Sequence, residues 1–376
     1  MIKKMDILTK LYQPIIIDKI KNIDWENGSD SPLIVELDPT AVCDLACPGC
    51  ISEDIIATNN SFSNQRLKNL AKEFYEIGVK GVILIGGGEP LAHPAIGEVI
   101  EYFGTHDISV GITTNGTFID RHLNEIAQYS DWTRISIDAA TEKTFAKLRP
   151  TKGGGSKFHH ILDNIQQLSK IKKGKLGFSF LIRTEVEGVD VVSNIDEIYD
   201  AAVLAKNLGC DYFEIKPSYN YKNDVAHSLV KHSKEDIQKM KQEISKLDSL
   251  VDDKFSITKA ITLDESLGGV KQKQIKTYTH CPIAELRTLV TPLGVYVCPY
   301  WRGKQPFKLG DIQDMSFSQL WHSQQKKDIM KWLNPSVHCA NLHCLRHESI
   351  QEILNIKDKI QNNQTINIIE EFDRFI

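Results

Sequence analysis

Short apolar runs alternate with amphipathic segments along the middle of the chain. Residues 81–85 form a β-branched run of buried-strand length, and residues 33–37 form a similar one. Between them Leu67, Leu70 and Phe74 recur at helical spacing, and Gly78 follows as a helix stop. Further predicted strands are residues 108–113, 133–137, 176–183 and 212–216. Strands that alternate with helices predict a parallel sheet, and about six such units form a partial barrel rather than a closed one.

The alternation stops near Pro217, and the remainder of the chain has a different pattern. A polar stretch, residues 219–231, precedes a helix that begins at Ser233, with Asp236 three residues on. Residues 286–290 and 295–298 flank a Pro-Leu-Gly turn, which predicts a hairpin. The predicted fold class is therefore α/β, a partial (β/α)6 TIM-like barrel with a small C-terminal β-hairpin and helix domain. The expected units are an N-terminal extension without a clear period (1–31), the barrel (32–220), a helical connector (221–280), the C-terminal domain (281–348) and a helical tail (349–376).

The amino-acid composition excludes several classes of function. The apolar share is 41% and the charged share 25%, as in ordinary globular proteins. The net charge of −4 offers no long-range attraction to nucleic acid or to anionic lipid. The apolar runs are too short to span a bilayer, and the N-terminus lacks the apolar core of a signal peptide. We therefore expect a cytoplasmic protein with neither a nucleic-acid partner nor a membrane partner.

Three of the eight cysteines lie together directly after the first predicted strand. Cys43, Cys47 and Cys50 have the spacing C-x3-C-x2-C. Three thiolates on one loop can hold three corners of a [4Fe–4S] cluster and leave one iron open to an outside ligand. Ligands also bind at the carboxyl ends of strands in parallel α/β folds, where this loop is expected. A structural zinc site is the alternative.

The cysteine loop and the elements after it resemble the radical S-adenosylmethionine (radical SAM) superfamily over about residues 32–218. The run Gly86-Gly87-Gly88-Glu89-Pro90 is similar to the family's Gly-Gly-Glu-Pro element. The resemblance implies that SAM binds the open iron and that Glu89 holds its methionyl ammonium. It implies the following cofactor-binding residues: Gly49, Gly87, Gly88, Glu89, Asn115, Ser136, Asp138 and Arg183. The family usually has an aromatic residue, which lies against the adenine, at the position of Gly49, so that contact must come from elsewhere.

Four more cysteines follow the barrel region: Cys281, Cys298, Cys339 and Cys344. Four thiolates can fully ligate a second [4Fe–4S] cluster. Cys281-Pro282, the Gly294 hairpin and Cys298-Pro299 resemble the SPASM/twitch type of auxiliary-cluster domain, and four cysteines fit its one-cluster twitch form. A four-ligand zinc site is the alternative. In that site a nearby histidine, His338, His343 or His347, could replace a thiolate.

The resemblance also implies the chemistry. A reduced cluster cleaves SAM to methionine and a 5′-deoxyadenosyl radical, which removes a hydrogen atom from the substrate. A fully ligated auxiliary cluster then suggests an electron acceptor and a net oxidation, with a flavodoxin or ferredoxin as reducing partner. The predicted catalytic residues, at the end of the last barrel strand, are Glu214, Lys216 and Tyr219. Arg183 and Glu185 are further candidates for holding the substrate.

The layout resembles the aminocyclitol dehydrogenases, which favours a small polar, sugar-like substrate. A peptide-modifying maturase is one alternative, although residues 1–31 are too short and irregular for a leader-peptide recognition domain. A radical epimerase is another, with Cys210 as hydrogen donor; because Cys210 precedes a strand, we interpret it instead as a buried core residue. A non-catalytic iron–sulfur or zinc protein would leave the Gly-Gly-Glu-Pro element without a purpose.

Overall fold

A computed structural model of the chain describes residues 3–4, 7–184, 192–220, 228–270 and 274–376. Its strands are β1 (Lys3–Lys4), β2 (Ile34–Leu37), β3 (Gly81–Leu84), β4 (Ser109–Thr114), β5 (Trp132–Ser136), β6 (Lys175–Leu181), β7 (Tyr212–Lys216), β8 (Tyr219–Asn220), β9 (Ser228–Leu229), β10 (Ser256–Lys259), β11 (Arg287–Thr291), β12 (Gly294–Tyr296) and β13 (Lys308–Gly310). Its helices are α1 (Pro14–Asn22), α2 (Glu53–Thr58), α3 (Asn64–Ile77), α4 (Ile96–Thr105), α5 (Leu123–Tyr129), α6 (Glu142–Leu148), α7 (Phe158–Ile171), α8 (Ile198–Asn207), α9 (Lys234–Lys246), α10 (Leu263–Ser266), α11 (Ile283–Leu286), α12 (Phe317–Trp321), α13 (Gln324–Trp332), α14 (Pro335–His338) and α15 (His347–Gln361).

Within the described residues, eleven strands form one sheet in the order β1-β10-β7-β6-β5-β4-β3-β2-β11-β12-β13. The six predicted barrel strands, β2 to β7, are parallel neighbours, so the predicted partial barrel is confirmed. Helix α3 ends as predicted at Gly78, whose φ of +93° closes the helix in the left-handed region. The loops that follow β2 to β5 therefore meet at one edge of the sheet.

The sheet continues beyond the six predicted strands on both sides. β10 pairs in parallel with β7, and β11 pairs in parallel with β2. The predicted hairpin is present, because β11 and β12 are antiparallel with Thr291 opposite Gly294. The C-terminal cysteine region is thus joined to the barrel by a backbone ladder.

Two expectations about local structure are corrected. The connector predicted to be helical contains β10 as well as α9; Ile257 is the buried residue of this short polar strand, which left little pattern to detect. The cap of α9 is as predicted, with the Ser233 side chain accepting a hydrogen bond from the Asp236 amide. Residues 1–31, predicted to be irregular, contain α1.

Helix α1 belongs to the body of the protein. Its Ile16, Ile17 and Ile20 are buried in a second apolar cluster together with Ile353 of α15 and Phe375. Consecutive isoleucines hide the helical period, which explains why the sequence pattern missed this helix. None of the helices in the described ranges combines the length and the apolar composition that crossing a bilayer requires.

Candidate active site

One cavity of about 540 Å³ lies at the carboxyl ends of the barrel strands. All seven grouped cysteines line it. The first group reaches it from the loop after β2, and the second group reaches it from the segments around α11, β12, α14 and α15. Both predicted ligand groups therefore face a common space.

The first cysteine loop packs directly on the glycine-rich loop that follows β3. The Gly88 amide donates to the Thr40 carbonyl at 3.1 Å, and the Glu89 amide donates to the Val42 carbonyl at 2.8 Å. A Cβ atom at Gly88 would lie 2.4 Å from the Val42 carbonyl oxygen. Only glycine permits this approach, so the glycine-rich loop fixes the backbone immediately before Cys43.

Glu89 lies at the cavity wall with its carboxylate held by three donors. It accepts hydrogen bonds from the Leu91 amide at 3.0 Å, the Thr114 hydroxyl at 2.6 Å and the Asn115 amide at 2.7 Å. Burial raises the pKa of Glu89 to about 7, and these hydrogen bonds oppose the rise. The carboxylate is oriented and poorly solvated, which suits it to a cationic partner.

Asn115 and Ser136, at the ends of β4 and β5, also line the cavity. The Asn115 side-chain amide donates to Asp44 Oδ1 at 3.0 Å and lies 3.9 Å from Cys43 Sγ. Four of the predicted cofactor-binding residues besides Glu89 thus face the cavity: Gly87, Gly88, Asn115 and Ser136.

Asp138 has a different environment from the predicted one. It is absent from the cavity wall of the described structure, and its Oδ2 accepts from Arg149 Nε at 2.9 Å and Nη2 at 2.6 Å. Arg149 does line the cavity, and its Nη1 lies 4.0 Å from Cys47 Sγ. Sequence reasoning missed Arg149, whose proximity to Cys47 arises from the fold. Burial raises the pKa of the Cys47 thiol, and the Arg149 charge opposes that rise.

Gly49 and Arg183 contact each other rather than the described cavity wall. Arg183 Nη2 donates to the Pro48 carbonyl at 2.9 Å, and a Cβ atom on Gly49 would lie 3.1 Å from that nitrogen. Gly49 has a φ of +67°. Arg183 therefore braces the cysteine loop. Glu185 lies outside the described residues.

The three predicted catalytic residues are separated. Glu214 is buried away from the described cavity wall and pairs with Arg134 at 3.1 Å and Lys216 at 3.5 Å. Burial favours a higher pKa for Glu214, but both cations outweigh it and lower the pKa. Glu214 and Lys216 thus form an internal ion network, whereas Tyr219 lines the cavity with its hydroxyl 2.6 Å from Thr262 Oγ1.

Cys210 is buried in the main apolar core. It lies just before β7, at the end of the strand opposite the cavity loops. Its interpretation as a core residue is confirmed.

The second cysteine group comes from segments that are far apart in the sequence. Burial raises the pKa of all four thiols, to about 11 for Cys339, and the charges of other cysteines in the group raise it further at Cys281, Cys298 and Cys339. Backbone amides of Tyr300 and Arg346 oppose the rise at Cys298 and Cys344 respectively. The four sulfurs therefore interact electrostatically as one group.

The histidines near this group differ in their surroundings. His347 Nδ1 lies 3.0 Å from the Tyr278 hydroxyl, and His338 Nδ1 accepts from the Asn334 amide at 2.9 Å. His343 lines the cavity. In the described part of the chain, no three His, Cys, Asp or Glu side chains are close enough to share one metal ion.

Comparison with known proteins identifies the family. The Radical SAM superfamily model matches residues 37–190, which contain the first cysteine loop and the glycine-rich loop. The chain carries a radical SAM domain. As a radical SAM enzyme it uses a [4Fe–4S] cluster and SAM, so these two predicted cofactors are confirmed.

Related enzymes match most of the length of this radical SAM enzyme. Mycofactocin maturase MftC of Mycolicibacterium smegmatis is 25% identical over 313 residues, 81% of this chain and 74% of that protein. The antilisterial bacteriocin subtilosin biosynthesis protein AlbA of Bacillus subtilis is 23% identical over 324 residues, 85% of this chain and 66% of that protein.

Solved structures support the fold of this radical SAM enzyme. Streptococcus suis SuiB matches with a TM-score of 0.59 and 14% identity, over 86% of this chain and 73% of that chain. The structure of anSMEcpe with bound AdoMet and Cp18Cys peptide matches with a TM-score of 0.54 and 17% identity, over 88% and 99%. Both likenesses extend well beyond the matched superfamily region.

The residues present fit iron–sulfur groups. The first loop offers three thiols without a fourth cysteine beside them, and the second group offers four. Thiol donors suit such clusters. A Cβ atom on Gly88 would clash with the first cysteine loop, so the two loops are in direct contact. The backbone of the glycine-rich loop and Glu89 line the same cavity as the thiols.

Proposed function

We propose that this radical SAM enzyme is a maturase that oxidises a peptide, with a second [4Fe–4S] cluster held by the C-terminal cysteines. The observation that carries the proposal is the single cavity lined by both cysteine groups. A substrate in that cavity would lie between a hydrogen-abstracting centre and an electron acceptor. The similarity to mycofactocin maturase and to the subtilosin biosynthesis protein, over 81% and 85% of this chain, favours this alternative over the sugar-like substrate predicted from the layout.

The first centre would be held by the loop after β2. Cys43, Cys47 and Cys50 would ligate one cluster, and its open iron would bind SAM. Glu89 would hold the methionyl ammonium, because its carboxylate is already oriented by three donors. Asn115 and Ser136 would contact the remainder of SAM from the neighbouring strand ends.

The second centre would be held by Cys281, Cys298, Cys339 and Cys344. When bound, the first cluster and SAM supply hydrogen-atom abstraction, and the second cluster supplies an electron acceptor. Four half-buried thiols match full cysteine ligation, so the second site would offer no open iron to the substrate. Lys276, whose Nζ donates to the Leu342 carbonyl at 2.6 Å, would offset part of the negative charge there.

The chain would also exclude water from the substrate. The cavity wall contains the apolar side chains of Ile51, Ile56 and Val297 and the rings of Tyr278 and Tyr300. Apolar walls limit quenching of reactive species by solvent. Tyr219 is the one predicted catalytic residue at this wall, and we assign it to substrate positioning. A flavodoxin or ferredoxin would deliver the reducing electron.

The structure of residues 1–31 is compatible with a peptide substrate. Helix α1 of this segment packs on α15 and forms part of the body of the protein.

The test is anaerobic turnover with defined substrates. Reconstituted enzyme, dithionite and SAM should yield 5′-deoxyadenosine above a Cys47→Ala control. Short peptides encoded beside the gene should then lose two hydrogens by mass spectrometry, with deuterium from a labelled C–H position recovered in 5′-deoxyadenosine. Oxidation of aminocyclitols but of none of these peptides would refute the maturase proposal in favour of the small-molecule alternative.

Metal analysis tests the second site separately. Two cubane clusters require about eight irons per chain, whereas one cluster with a zinc site gives about four irons and one zinc. The triple Cys43, Cys47 and Cys50 to Ala variant should keep a cubane spectrum. A zinc-loaded second site would remove the proposed electron acceptor.

A further inference from the structure

Five cationic side chains line the cavity, and four of them have partners. Arg149 pairs with Asp138 at 2.6 Å, Arg287 with Glu36 at 2.5 Å and Arg302 with Asp38 at 2.7 Å. Lys276 donates to the Leu342 carbonyl at 2.6 Å. The fifth cation is Arg346.

Arg346 directly precedes α15 and is two residues after Cys344. Its guanidinium forms no hydrogen bond and no ion pair with the residues that the structure describes, although it faces the cavity. Glu36 attracts it, but that carboxylate already pairs with Arg287.

An unpaired cation in a poorly solvated cavity is costly unless an anion joins it. The two acidic residues of the cavity wall are engaged elsewhere, since Glu36 holds Arg287 and Glu89 accepts three hydrogen bonds. A carboxylate partner for Arg346 would then come from a molecule that enters the cavity. The planar guanidinium fork matches a carboxylate with two parallel hydrogen bonds.

We propose that Arg346 binds a carboxylate of the substrate within the cavity between the two cysteine groups. This inference rests on the proposed function in so far as the substrate is a peptide. A peptide can present such a group at its C-terminus or on an Asp or Glu side chain. In either case Arg346 is a specificity residue: by holding the carboxylate, it selects which carbon of the substrate peptide lies at the reacting position.

A competing role for Arg346 is to neutralise negative charge at the second cysteine group. Lys276 already lies close to Cys339 and Cys344, as their mutual charge effects show. A purely neutralising Arg346 would change the properties of the metal site. A carboxylate-binding Arg346 would change substrate affinity, so the two roles have separate readouts.

The experiment measures binding of three probes to reconstituted, SAM-loaded enzyme by calorimetry. The probes are N-acetyl-trialanine, its C-terminal amide, and N-acetyl-Ala-Glu-Ala amide. Wild type should bind at least one carboxylate probe about ten-fold more tightly than the neutral amide. The preferred probe then identifies the source of the carboxylate. Arg346→Gln should abolish the preference, and Arg346→Lys should restore part of it.

Matched controls make the outcomes decisive. Lys331→Gln removes an exposed cation from α13 and should leave the preference intact. Iron content and the reduction potential of the second cluster should be the same in Arg346→Gln as in wild type. The proposal is overturned if wild type does not discriminate, if Arg346→Gln still discriminates, or if only the cluster potential changes. Absence of SAM cleavage in wild type would instead refute the proposed function.

Discussion

The two cysteine groups face the same cavity but are assembled in opposite ways. Cys43, Cys47 and Cys50 lie on one loop, positioned by hydrogen bonds to the next loop along the sheet. The second group is drawn from four segments between Cys281 and Cys344, and β11, which follows the first of these cysteines, pairs with β2. A local site is visible in the spacing of its residues, whereas an assembled site depends on the tertiary structure around it.

The largest expected effect comes from breaking the local site. Cys47→Ala should abolish 5′-deoxyadenosine formation, because three thiolates are the minimum for a cluster with one open iron. Iron should fall from about eight to about four per chain. Residual SAM cleavage at the wild-type rate would mean that this loop does not hold the reactive centre.

Breaking the assembled site should separate cleavage from oxidation. Cys298→Ala should retain 5′-deoxyadenosine formation while the yield of oxidised product collapses, because the electron acceptor is lost. A metal site on the second cysteine group would also close a much longer chain segment than one on the first loop. Its loop-closure contribution to the free energy of unfolding should be larger by about 2 kcal/mol. The melting temperature should therefore fall further in Cys298→Ala than in Cys47→Ala. Equal losses would show that the second group is not a cross-link.

The packing of the glycine-rich loop on the first cysteine loop can be tested without substituting any of the cysteines. Gly88→Ala places a Cβ atom 2.4 Å from the Val42 carbonyl oxygen, so the cysteine loop must shift. Overpacking typically costs about 1–3 kcal/mol, and we expect SAM affinity to fall about ten-fold. Gly153→Ala is the control, because its Cβ atom would meet nothing closer than Thr151 Oγ1 at 4.0 Å. Similar losses in both variants would argue against a positioning role.

The smallest expected effect is a pH dependence of SAM binding. The pKa of Glu89 is raised to about 7, so in the absence of SAM its charged form becomes abundant only as the pH rises through that value. Affinity for the ammonium of SAM should thus increase several-fold from about pH 6 to about pH 7.5. Glu89→Gln should bind SAM weakly and without this dependence, as titration calorimetry can show. An unchanged pH profile in Glu89→Gln would assign the titration to another group.

The contrast between local and assembled features also explains how far the sequence could be interpreted. Buried apolar runs predicted β2 to β7, and fixed spacing predicted the first cysteine loop. The pairing of β10 and β11 with the barrel was missed because sheet partners depend on distant segments. Asp138 and Glu214 are residue types expected at an active site, so the sequence suggested them. Each instead pairs with an arginine, Arg149 and Arg134 respectively, that the fold brings next to it.

The same reasoning applies to the cations of the cavity. Nothing in the local sequence marks Arg346, since its proposed role follows from the lack of a counter-charge among the residues that the structure describes. Cys210 shows the reverse case: its position before a strand was enough to place it in the core.

The ladder between β2 and β11 sets a constraint on how the enzyme operates. Four residue pairs, from Arg287 opposite Ile34 to Val290 opposite Leu37, join the strand before the first cysteine loop to the strand after Cys281. The two cysteine groups are therefore attached to adjacent strands of one sheet, which favours a constant distance between the two proposed clusters. A peptide substrate would then have to fit a cavity whose two cysteine groups are held by neighbouring strands.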